Sequence, residues 1–118
     1  LPRLLAEHEV ITRLAGSPGQ KAQVDEANGF LKRIGAMIGA SDVYFMDRSG
    51  LTRAASNFDT ETSFIGGNFA FRPYFIDALK GGEGRFYALG TTSRKRGYYF
   101  GAPVWGDAGL MGVLVIKV

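Results

Sequence analysis

The sequence predicts an α+β fold, a central antiparallel sheet of about five strands flanked by long N-terminal helices. Two observations carry it. Apolar residues recur every three or four positions as far as residue 38, and beyond it the apolar runs become short, aromatic and β-branched. Those runs follow one another closely, with turn chemistry between them and one short helix among them. That order suits an antiparallel sheet better than a doubly wound parallel one.

In chain order, Leu4, Leu5, Ile11 and Leu14 mark a first helix over residues 1–15, stopped by Gly16-Ser17-Pro18-Gly19. His8 falls on its exposed face. Val24, Ala27, Leu31, Ile34 and Ile38 form the apolar stripe of a second helix over 20–38, with Gly39 as its C-cap. Val43-Tyr44-Phe45-Met46 is a strand, and Asp47-Arg48-Ser49-Gly50 turns it into a second strand over 51–56. Residues 57–67 read as a loop anchored by Phe64 and Ile65. A short helix over 72–79 has proline in its first turn and Gly81-Gly82 after its end. Strands over 85–89, 97–104 and 110–118 complete the chain, the last two joined through Gly106-Asp107-Ala108-Gly109. The N-terminal helices (1–38) are expected to pack on one face of the module formed by 39–118. The loop and short helix should cover the other face.

With 118 residues this reads as one domain or part of one. Fourteen basic and 11 acidic residues leave a net charge of +3, and no basic run stands apart, so no nucleic-acid partner is predicted. No apolar run approaches the ~20 residues of a membrane-spanning helix, and no signal peptide opens the chain. The absence of cysteine excludes a Cys-ligated zinc site, an iron–sulfur cluster, a Cys nucleophile and a disulfide framework. A Ser-His-Asp triad would have to use His8, the single histidine. Gly66-Gly67 lacks the spacing and lysine of a phosphate-binding loop, and no G-x-G-x-x-G links a strand to a helix. The carboxylates at Asp42, Asp47, Asp59 and Glu61 read as turn formers or solvated ends, and none lies inside an apolar run where burial would make it a general acid. No catalytic residue, metal or cofactor is predicted.

The cations are more informative. Lys117 lies in an apolar last strand and by alternation shares a face with Val113 and Val115. Either something negative stands opposite it, or it marks the wet end of the strand. Arg72 precedes Pro73 inside an aromatic cluster of Phe69, Phe71, Tyr74 and Phe75. Its planar fork suits a carboxylate and the adjacent helix start adds N–H donors, although stacking on a neighbouring ring would also explain it. Thr91-Thr92-Ser93 offers three hydroxyls without charge, or a turn into the basic Arg94-Lys95-Arg96 loop.

Several blocks carry a family likeness: Ser56-Asn57-Phe58, Phe64-Ile65-Gly66, Asn68-Phe69-Ala70-Phe71-Arg72-Pro73-Tyr74-Phe75, Ala88-Leu89-Gly90-Thr91-Thr92-Ser93, Arg96-Gly97-Tyr98-Tyr99-Phe100, Ala102-Pro103-Val104 and Val115-Ile116-Lys117-Val118. From the second helix onwards the chain resembles the periplasmic sensor region of bacterial C4-dicarboxylate transport sensor histidine kinases, which are double-Cache (PDC, PAS-like) receptors. The resemblance implies a membrane-distal sensor module of a two-component system. It implies a pocket under the loop and short helix for succinate, fumarate or malate. Arg72, Asn68 with Phe69, Thr91 and Lys117 are the ligand-holding positions so implied; Thr92, Ser93 and Tyr99 join them by their placement. A membrane attachment through transmembrane helices absent from this chain is also implied, as is signalling by pocket closure towards the N-terminal helices. Those helices offer a homodimer surface. A sensor fragment of this kind should bind and signal but not phosphorylate. Two other readings are a Cache domain for an amino acid, acetate or longer diacid, and a PAS- or profilin-like adaptor without a ligand. An amino-acid binder would need an acidic residue for the ammonium group.

Overall fold

In a computed structural model, which describes residues 2–80, 84–89 and 96–118 (84–89 and 96 as backbone alone), the first apolar stripe folds as two helices where the sequence predicts one. These are α1 (Pro2–Ala6) and α2 (Glu9–Gly16). The break falls at His8, whose extended backbone makes it the N-cap of α2 and whose Nδ1 accepts the Val10 N–H at 3.2 Å. The two-residue interruption lets Leu5 and Ala6 reach the same core as Ile11, Leu14 and Ala15. His8 itself is exposed, as expected, with its ring stacked on Phe30 at 4.3 Å. Helix α3 (Lys21–Ile38) ends where predicted. Gly39, at φ 71°, adopts the left-handed conformation that closes a helix, and the Ala40 N–H returns to the Gly35 carbonyl at 2.9 Å.

The remaining elements are β1 (Asp42–Asp47), β2 (Thr52–Ala55), α4 (Pro73–Leu79), β3 (Gly84–Leu89), β4 (Arg96–Gly106) and β5 (Gly109–Lys117). They build a five-stranded sheet in the order β2-β1-β5-β4-β3, antiparallel at every pairing. The β1–β2 turn is organised by Asp47, whose carboxylate accepts from the Ser49 and Leu51 N–H groups and from Arg53 Nε. Asp47 is thus the turn former expected of it. The chain must cross from one edge of the sheet to the other between β2 and β3. It does so over a single face, through the 56–72 loop and α4.

Strand alternation sorts the core into two layers. Val43, Phe45, Ala54, Ala102, Val104, Leu114 and Ile116 face α1, α2 and α3. Tyr44, Met46, Ala55, Tyr99, Val113 and Val115 face the other way, against Phe64, Phe69, Tyr74, Phe75 and Ala78. The expected division of the faces is observed. One anchor differs: Phe64 is buried but Ile65 is 40% exposed. Phe64 alone serves as anchor, because Ile65 and Gly66 form the tip of a turn closed by the Gly67 N–H on the Phe64 carbonyl at 2.9 Å. Gly81 and Gly82, expected to close the short helix, lie outside the described residues.

Candidate ligand site

Lys117 is the last residue of β5 and points into the layer beneath α4. It is 2% exposed, which decides between the two sequence readings: this is a buried lysine, not a wet strand end. Gly97 makes room for it, since a Cβ at that position would stand 2.9 Å from Lys117 Cε and 3.2 Å from its Cγ. The ammonium lies 5.5 Å from the centroid of the Tyr99 ring and 5.9 Å from that of Phe64.

Arg72 reaches the same ring from another element. It is the N-cap residue of α4 and is buried, its guanidinium carbon 5.8 Å from the Tyr99 centroid and 5.0 Å from that of Phe71. The stacking expected of Arg72 is observed on Phe71, and Arg72 approaches the same Tyr99 ring as Lys117. The N–H groups of Phe75 and Ile76 both donate to the Arg72 carbonyl, so those donors are engaged within the helix start.

Beneath the cations lies a tyrosine stack. Tyr74 packs parallel to Tyr99, centroids 5.3 Å apart and planes 10° apart, and its hydroxyl is 2.6 Å from that of Tyr44. Burial pushes the Tyr74 phenol up to about 12 and holds Tyr44 well above the ordinary value. Burial also raises Tyr99, against the opposing effect of Arg72. All three hydroxyls are therefore neutral at neutral pH, able to donate as well as accept. Phe64 and Phe69 wall the layer, each meeting Tyr44 edge-on at 5.1 and 6.0 Å.

The structure thus brings Arg72, Lys117, Tyr99 and Phe69 into one layer. Asn68 stands apart on the exposed side of the loop, where its amide donates to the Ser49 carbonyl and accepts from the Ala70 N–H, both at 3.0 Å. It orders the segment that carries Phe69 and Arg72. Thr91, Thr92 and Ser93 lie outside the described residues. Sequence reasoning missed Tyr44 and Gly97, and it placed Tyr74 only within an aromatic cluster. It also read Asp42 as a turn former or solvated end, whereas Asp42 opens β1 half-buried and pairs in register with Lys117. The parity that links Lys117 to Val115 links Asp42 to Tyr44, so the shared face was signalled but the pairing was not. Among the described residues no group of acidic or histidine side chains could hold a metal ion, and no helix is long and apolar enough to cross a membrane.

No protein-family model matches the chain. Over all of its 118 residues it is 42% identical to the C4-dicarboxylate transport sensor protein DctB of Pseudomonas aeruginosa and 37% identical to that of Rhizobium meliloti. Its homologues are the C4-dicarboxylate transport sensor proteins. The chain spans 19% of the length of each of these two relatives. It also superposes on the sensor domain of the V. cholerae histidine kinase DctB with a TM-score of 0.97 at 40% identity, covering 99% of this chain and 45% of that one. The fold implied by the family resemblance is therefore the fold observed, a PAS-like α+β fold.

Proposed function

We propose that this chain is the ligand-binding module of an extracytoplasmic sensor for C4-dicarboxylates such as succinate, fumarate or malate. The observation that carries the reading is the convergence of two buried cations, from the start of α4 and the end of β5, on one tyrosine ring. Arg72 forks one carboxylate and Lys117 neutralises the other, while Tyr99 and Phe69 wall the space between. Thr91, with Thr92 and Ser93, supplies uncharged donors; Asn68 holds the Phe69–Arg72 segment in place. The homology to C4-dicarboxylate transport sensor proteins supports the choice of ligand.

The parent protein is a periplasm-facing, inner-membrane histidine kinase in this reading, and the sensing part carries no catalysis. Residues 1–38 lead from the membrane to the module formed by 39–118. Closure of the loop and α4 on the ligand shifts the sheet against those helices, and the ligand drives the shift only as far as it prefers the closed form. The N-terminal helices are the proposed dimer surface.

Titration calorimetry of the chain with succinate, with butyrate as the monocarboxylate control, tests the site. Succinate alone should release heat. Lys117→Ala should retain the fold by circular dichroism and lose about 30-fold or more in succinate affinity, as expected for removing one partner of a desolvated charge pair. Equal affinity for succinate and butyrate, or an unchanged affinity in Lys117→Ala, would contradict the two-carboxylate site.

A further inference from the structure

Lys117 has a neighbour on each side in the sheet. Asp42 of β1 is its register partner on one side and Tyr99 of β4 on the other, so Asp42, Lys117 and Tyr99 form one row across three adjacent strands on the same face. Side chains directly opposite in an antiparallel pair have Cβ atoms about 5 Å apart and interact. Asp42 is half-buried. By register, the Asp42 carboxylate belongs to the position next to Lys117 on this face. Its charge is felt at the Tyr99 phenol, which it helps to raise after burial.

We propose that Asp42 is a specificity-determining residue, setting which ligand charge the Lys117 end of the site accepts. The inference rests on the anion-site reading given above. A carboxylate beside Lys117 cancels part of the ammonium's field and repels an incoming anion. It also offers an acceptor to a ligand that carries an ammonium group next to its carboxylate. A site with Arg72 and Lys117 alone would favour the plain dianion and reject that ammonium. With Asp42 in the row the preference is compressed: the dianion binds less tightly, and a 2-amino diacid is tolerated.

The test is titration calorimetry of the 118-residue chain, its Asp42→Asn and its Asp42→Glu variants with succinate and with L-aspartate, each variant first shown to melt like the parent. Asp42→Asn removes the charge at nearly constant shape and should tighten succinate about tenfold, the scale of one unit charge at close range in a partly screened site, without the same gain for L-aspartate. Asp42→Glu keeps the charge and should keep the parent's ratio between the two ligands. If succinate affinity is unchanged or weaker in Asp42→Asn, or both ligands gain equally, Asp42 does not set specificity, although the anion site stands. If the folded parent binds neither succinate nor L-aspartate, the anion-site reading fails and this inference fails with it.

Discussion

At the scale of single residues, the site is a contest between charge and burial. Two cations are held among aromatic rings, where an ion is costly unless other charges and dipoles compensate it. On the protein's side, the sheet register sets Asp42 opposite Lys117. Tyr44 and Tyr74 respond in the opposite sense, since burial keeps their phenols protonated well past the ordinary value of 10.0. A folded-state pKa above the unfolded one contributes stability that is complete below the unfolded pKa and is lost as pH rises beyond it. Stability should therefore fall above pH 10, by up to about 1.4 kcal/mol per pH unit for each phenol, the Tyr74 share ending near 12. Urea unfolding of the parent and of Tyr44→Phe at pH 9 and pH 11 checks this. The variant should lose less stability between the two, and equal losses would exclude Tyr44 as a source.

At the scale of elements, most contacts follow from alternation along strands, with one local disturbance. The pairing of β1 with β2 slips between Phe45 and Met46, so that Thr52 stands opposite Met46, where an unbroken register would place Arg53. Its main chain is well used, the N–H donating to Gly67 at 2.9 Å and the carbonyl accepting from Gly66 at 3.0 Å. Its hydroxyl is buried and has no hydrogen-bond partner among the described residues. Valine has the same branched shape and lacks the desolvated oxygen, so Thr52→Val should stabilise the chain by about 1 kcal/mol. Chemical denaturation measures it, and a destabilised variant would mean that the hydroxyl is satisfied in solution. Across the sheet, buried Asn28 of α3 accepts the Ala55 N–H at 2.9 Å and so ties the helical layer to the edge strand.

At the scale of the whole molecule, the sheet separates two cores. The helices α1 to α3 cover one face, and the loop with α4 covers the other, where the cations lie. A ligand bridging Arg72 and Lys117 would join α4 to the central strand β5, and so join the cover of that face to the part of the sheet that backs onto the helices. Binding of this kind acts on the folded state alone. Succinate at 100 times its dissociation constant should then raise the unfolding free energy by about 2.7 kcal/mol. Urea unfolding with and without succinate, against butyrate at equal concentration, reads the difference directly. Equal stabilisation by both would point to a general salt effect rather than a site.

The order of elements was legible in the chain because it rests on local rules: the 3.6 period as far as Ile38, Gly39 as a left-handed cap, Asp47 and Gly50 at a turn, Pro73 at a helix start. The break at His8 was not, because the apolar stripe of Leu4, Leu5, Ile11 and Leu14 runs through it and the competing cap needs only one ring nitrogen. For the site, alternation alone placed Lys117 on the face of Val113 and Val115, and composition alone removed cysteine chemistry. What the tertiary structure decided was which residues meet. Tyr44 and Tyr74 are joined across 30 positions, and Asp42, Lys117 and Tyr99 line up from three strands. Strand pairing and register are non-local, set by how both faces of the sheet fill at once, so no spacing along the chain encodes them.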